Sequence, residues 1–339
     1  MICWGSWANT QKVASKEWSF QLFYWDYVIG VFLFSLIFAF TLGSFGQEGR
    51  AFIPDLLQAD LNPIFLALLG GIIFNLSNIL LVAAVDIAGL AVAFPIAVGF
   101  SCSIGVVVNY IAVPIGNPVF LFIGIAILIL AVVMDALAYK RLSSSRNTNI
   151  GKGLLVSVLS GVLMGFFYRF VAASITNDFA VPEAGKLTPY TAVVIFSLGV
   201  LLSNFIWNTN LFAKLSLWKP VNYRDYFTKG NLRLHSIGLL GGIIWSIGMG
   251  FSIIASGKAG YAITFGLGQG GTMVAAFWGV FIWKEFKGAP KGTNRILAAM
   301  FLLYIIAILL IIYCLLYTSD AADEEDSVDL GGGPIIKKK

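Results

Sequence analysis

Nine apolar runs of about 20 residues follow one another along the chain, separated by short polar loops, after a shorter apolar stretch at the start. A helix of about 20 residues crosses the roughly 30 Å hydrocarbon layer of a bilayer, so each run predicts one crossing. The expected spans are a remnant from Met1 to about Ala8, then about Phe23–Leu42, Ile64–Val85, Ala88–Val108, Val119–Ala138, Leu154–Ala173, Thr191–Phe212, Ser236–Ala255, Tyr261–Trp283 and Ile296–Tyr317. None alternates apolar and polar residues with period two, which argues against a β-barrel. The fold class read here is all-α, a polytopic membrane protein. The chain is 58% hydrophobic and only 12% charged, which excludes an ordinary soluble enzyme and an intrinsically disordered chain. A formal charge of +5 does not point to nucleic acid, because the lysines and arginines lie in the loops between spans.

Those loop charges predict the orientation. Fifteen Lys and Arg fall in the loops after spans one, five, seven and nine, against Arg50, Lys186 and Lys258 on the other side. Basic loops stay in the cytoplasm, so both termini are expected outside a cell membrane, plasma or inner. The first run is too short to cross, which suggests that its helix is truncated by about ten or more residues. The tail TSDAADEEDSVDLGGGPIIKKK changes composition abruptly at Thr318 and reads as non-native or disordered. Cys3, Cys102 and Cys314 are scattered and form neither a disulfide framework nor a metal-ligand pattern.

An internal repeat organises the spans. Leu68-Leu69-Gly70-Gly71-Ile72-Ile73-Phe74 matches Leu239-Leu240-Gly241-Gly242-Ile243-Ile244-Trp245 at an offset of 171, and the match continues through Gly89/Gly260, Phe94/Phe265 and Gly99/Gly270. The offset superposes spans three and four on spans eight and nine, a unit of five helices. Two copies of an odd-numbered unit enter the membrane upside down relative to each other, an arrangement that places substrate near the midplane between them. The expected organisation is a first five-helix repeat over residues 1–138, a basic cytoplasmic loop over 139–153, a second repeat over 154–317 and the tail over 318–339.

Polar residues inside spans are costly and mark candidate sites. Asn75 and Asn78, Asn204 and Asn208, and Gln269 are amides within apolar runs, each demanding a partner on a neighbouring helix or on a polar substrate. With Trp4 and Trp7 supplying aromatic faces, they are read as a pocket for a small neutral polar solute. Asp26, between Tyr24, Trp25 and Tyr27, is the first candidate for proton coupling and Asp135 the second. The bland readings are a helix cap or pairing with Lys12 or Lys16 for Asp26, and an interfacial pair with Lys140 or Arg141 for Asp135. Arg169 is a further intramembrane charge. Asp86 is expected in the turn after span three, and Lys284 and Glu285 as an interface pair. The single histidine, His235, lies in a basic loop with nothing to pair with. No phosphate-binding loop or ATPase segment is present, so uphill transport would draw on an ion gradient. A lipid-modifying membrane enzyme would want clustered histidines and carboxylates, which are lacking. No cofactor is expected.

Several segments carry a family resemblance. Trp4-Gly5-Ser6-Trp7-Ala8-Asn9-Thr10, Tyr24 to Gly30, Ala39 to Gly46, Gly70 to Asn78, and Phe277 to Phe286 resemble bacterial permeases of the glucose/rhamnose porter and ureide permease group, within the drug/metabolite transporter superfamily. The likeness spans about residues 1–313. It implies ten helices in two inverted repeats and uptake of sugars or ureides, often with protons. The function expected is a secondary permease for a small neutral polar solute, a sugar first, with proton coupling. The alternatives are a ureide- or nucleobase-type metabolite permease and a drug or metabolite exporter. Expected partners are that solute, protons and the lipid bilayer, with no nucleic acid; a homo-oligomer is left open.

Overall fold

A computed structural model describes residues 1–46, 49–142, 150–208 and 222–329. Among the described residues the chain is helical, with one isolated bridge between Ile175 and Leu187. Among the described residues nine helical segments are long and apolar enough to cross a membrane. They are α3 (Phe20–Phe40), α5 (Leu61–Ala88), α6 (Leu90–Ala112), α7 (Pro118–Leu142), α8 (Ile150–Ser174), α9 (Pro189–Ile206), α11 (Leu232–Ala259), the segment Tyr261–Ile282, and the apolar part of α14 (Thr293–Asp329). Three short helices precede or join them: α1 (Ile2–Ser6) and α2 (Ala8–Ala14), which meet at Trp7, and α4 (Phe52–Gln58). A fourth, α10 (Arg224–Thr228), leads into α11. The expected first remnant is therefore a bent pair of short helices packed against the second half of the chain.

Two boundaries differ from expectation. Asp86 lies in the last turn of α5, exposed, not in the turn that follows it. The ninth run is not one helix: α12 (Tyr261–Gln269) ends at Gly270, α13 (Gly271–Phe277) follows, and a π-helical turn closes it at Trp278–Ile282. Three glycines around Gln269 weaken the helix there and admit α1, with the Trp4 ring against Gly268. Residues 143–149 and 209–221, which hold Arg146, Lys214, Lys219 and the predicted end of span seven, lie outside the described residues, as do 330–339 of the tail; α14 itself runs through Asp329.

The two glycine-rich runs make matching contacts. A methyl group on Gly71 of α5 would strike the backbone of Phe196 and Val200 on α9; one on Gly242 of α11 would strike Tyr27 and Val31 on α3. Likewise Gly199 abuts the Leu68 carbonyl and Gly30 the Leu239 carbonyl. Even the polar contacts correspond. Asn75 donates through Nδ2 to the Val200 carbonyl at 3.1 Å, and Ser246, 171 positions later, donates through Oγ to the Val31 carbonyl at 3.3 Å. Each α5–α6 or α11–α12 junction turns at a glycine in a conformation closed to L side chains, Gly89 at φ 83° and Gly260 at φ 79°. The two seams, α5–α9 and α3–α11, thus hold the bundle together by close backbone approach, which small residues permit in lipid. Between them, Phe74 and Trp245, also 171 apart, pack with ring centres 4.5 Å apart and planes tilted by 36°.

Candidate functional site

A cavity of about 230 Å³ opens beside the Phe74–Trp245 pair. This far exceeds the roughly 30 Å³ that one water occupies in the liquid, so a small organic solute fits. Its walls are aromatic: Trp4, Trp7, Phe74, Phe167, Trp245 and Phe265. Trp4 lies nearly parallel to Trp245, with centroids 6.1 Å apart. The polar lining consists of Asn78, Ser101, Ser160, Gln269 and Thr272; among the described residues none in the lining is charged. Ser160 is engaged with Ser77 through reciprocal backbone bonds of 2.8 and 2.9 Å, and Thr272 donates to the Gln269 carbonyl at 2.8 Å. Asn78 is positioned by α3: its Nδ2 donates to the Tyr24 hydroxyl at 3.0 Å. Gln269 reaches the cavity because the helix breaks at the next residue.

Of the residues expected at a binding pocket, Trp4, Trp7, Asn78 and Gln269 are brought together here. Asn75 is not; it faces α9, where Nδ2 also donates to Ser203 Oγ at 2.9 Å. Asn208 donates to the Gln21 carbonyl at 2.9 Å, tying the end of α9 to α3. Asn204 is fully buried, away from the cavity lining, and its amide finds no hydrogen-bond partner among the described residues. Sequence reasoning passed over Phe74 and Trp245 as site residues. Their signal was present in the 171-residue match, which pairs Phe74 with Trp245.

Asp26 sits on the other side of the same turn of α3. The Tyr226 hydroxyl of α10 donates to its Oδ1 at 2.5 Å, and His235 Nδ1 of α11 lies 3.0 Å from both carboxylate oxygens. The expectation that His235 has nothing to pair with is thus overturned: its partner is 209 positions away. The pairing of Asp26 with Lys12 or Lys16 is not formed. Lys12 instead bonds Glu285, whose other oxygen accepts from Tyr139 at 2.5 Å, so Glu285 is tied to α2 and α7, not to Lys284. Asp135 is buried one turn before Tyr139 and forms no ion pair with Lys140 or Arg141 among the described residues. Arg169 is half-buried late in α8.

The family model for ureide permeases matches residues 23–152 and 134–314. The chain belongs to the ureide permease family. Ureide permease 1 of Arabidopsis thaliana is 23% identical over 361 residues, covering 90% of this chain and 92% of that protein. Ureide permease 5 of the same plant is 21% identical over 376 residues, covering 91% and 90%. This permease is therefore a multi-pass membrane transporter of small metabolites and not an enzyme. The relatives lend no support to the sugar reading, and they favour the ureide alternative.

Proposed function

We propose that this permease carries a ureide-like solute, compact, planar, uncharged and rich in N–H and C=O groups, and that the solute binds between Trp4, Trp7, Phe74 and Trp245. The observation that carries the reading is the chemistry of the cavity wall. Aromatic faces suit a flat ring, and a side-chain amide offers one donor and one acceptor to the paired C=O and N–H of a ureide. With one Nδ2 hydrogen committed to Tyr24, Asn78 keeps Oδ1 and its second N–H for the solute, and Gln269 lines the same cavity. A sugar can stack its C–H faces on such rings but is rimmed with hydroxyls, and with Ser160 and Thr272 already engaged each hydroxyl left unpaired would cost about 1–3 kcal/mol. The absence of charge in the lining matches a neutral solute. The family name shared by the relatives agrees with this chemistry.

The matching seams, the paired glycine turns and the Phe74–Trp245 crossing support two inverted five-helix halves, with the cavity where they meet. Coupling to protons belongs to the same reading, with Asp26 at the coupling site and Asp135 as the second candidate. The test is ligand stabilisation of the purified protein. A ligand at about 100 times its Kd stabilises the folded state by about 2.7 kcal/mol. Hydantoin, a simple cyclic ureide, is expected to raise the melting temperature and glucose to leave it unchanged. The converse result would overturn the ureide reading.

A further inference from the structure

We infer that Asp26, His235 and Tyr226 together form a proton-binding site that closes one end of the α3–α11 seam, with His235 as the port through which the proton enters and leaves. The inference deepens the permease reading and rests on it. The carboxylate of Asp26 is the buried end, its side chain 4% exposed, while His235 is 27% exposed. His235 Nε2 faces Gly230, where the missing side chain leaves that nitrogen room. Trp18 packs edge-on against both the imidazole, at 5.1 Å, and the Tyr226 ring, at 6.0 Å, walling off the cluster. Burial, and the carboxylate beside it, push the Tyr226 phenol up from its ordinary value, so it remains a donor through the neutral range.

Among the described residues the neighbouring charges have their own partners or stand in solvent. On the turn before α3, Glu17 is held by Arg233 of α11 at 3.3 Å; on α10, Asp225 is held by Lys229 at 2.8 Å. Lys12 of α2 is held by Glu285, and Lys16 and Arg224 stand exposed. Packing does not require a titratable pair here. By the register of the glycine contacts, the positions in the α5–α9 seam that correspond to Asp26 and His235 carry Ile195 and Ile64. At these positions one seam carries a titratable pair and its counterpart does not, which makes the two seams inequivalent.

The proton balance is simple. Without the added proton, neutral His235 donates its Nδ1–H to the Asp26 carboxylate. Uptake of one proton at Nε2 turns that bond into an imidazolium–carboxylate pair and draws α10 and α11 more firmly onto α3. Release loosens them. The signal reaches the cavity within one turn of α3: Tyr24 holds Asn78, and Tyr27 packs on Trp7 with centroids 4.8 Å apart.

Hydrogen exchange over residues 222–234, measured on the purified substrate-free protein and corrected for intrinsic chemical rates, reads the seam directly. Samples are compared at about pH 5.5 and about pH 7.5. Protection is expected to fall about fivefold or more at the higher pH, where the imidazolium–carboxylate pair is lost. H235Q is expected to abolish this dependence, and D26N to do so independently if H235Q does not survive purification. A wild-type segment indifferent to pH, or a variant that keeps the wild-type dependence, would overturn the inference. Because no substrate enters the measurement, failure of hydantoin binding would strike the ureide reading and leave this result standing.

Discussion

Replacing Asn78 by alanine separates binding from folding, provided Asn75→Ala is measured beside it. The two residues are three apart on α5, yet their amides point to different places. Asn78 Nδ2 meets Tyr24 at 3.0 Å with the rest of the amide at the cavity, whereas Asn75 Nδ2 is consumed by Val200 and Ser203 at 3.1 and 2.9 Å. Losing one hydrogen bond to a buried substrate group costs about 1–3 kcal/mol, about 5- to 150-fold in Kd. Asn78→Ala should therefore weaken hydantoin binding by that factor. Its stability cost should be that of the single Tyr24 contact, roughly 1 kcal/mol. Asn75→Ala should invert the pattern: two internal bonds vanish, the protein melts earlier, and Kd moves less than about twofold. Both Kd values can be taken by calorimetry on detergent-purified protein, with melting recorded in parallel. An unchanged Kd for Asn78→Ala, or a larger loss for Asn75→Ala, would refute the assignment of the two amides.

Three further outcomes are expected. Gly71→Ala and Gly242→Ala each drive a methyl into a helix backbone, at Phe196 and Tyr27 respectively, where no side chain can turn aside. Overpacking of this kind costs typically about 1–3 kcal/mol, and thermal denaturation should show similar losses for both if the seams are equivalent. Asp26→Asn should abolish accumulation against a gradient in proteoliposomes while sparing exchange between equilibrated compartments; continued uphill accumulation would remove Asp26 from the coupling site. For orientation, an impermeant thiol reagent on intact cells should label cysteine at Leu57 and not at Phe227, both exposed in loop-side helices; the reverse would invert the predicted topology.

The corrections concern contacts between residues far apart in the chain. His235 read as solitary because nothing within its own loop could pair with it; Asp26 reaches it only once α3 and α11 are side by side. Asn75, Asn78, Asn204 and Asn208 were alike as amides in apolar runs, and no local feature said which of them would face a cavity. Successive helix positions rotate by about 100°, so a residue three along points about 60° away. For Asn75 and Asn78 that rotation separates a helix seam from a cavity wall.

What the amino-acid sequence determined by itself was whatever local chain physics and periodicity can encode. The length of each apolar run demands a helix that satisfies its own backbone in lipid, so the spans were legible before any packing was known. The recurrence of Gly70-Gly71 as Gly241-Gly242, and of Gly89 as Gly260, announced equivalent close approaches and equivalent turns. The tertiary structure decided which partners fill those approaches, where Phe74 meets Trp245, and that the ninth run breaks beside Gln269 so that α1 can enter. It also brought a carboxylate, a phenol and an imidazole together from three separate segments. Such choices depend on packing free energies between distant surfaces, and in a lipid solvent, where apolar burial between helices counts for little, they rest on close fit and on hydrogen bonds that no single run displays.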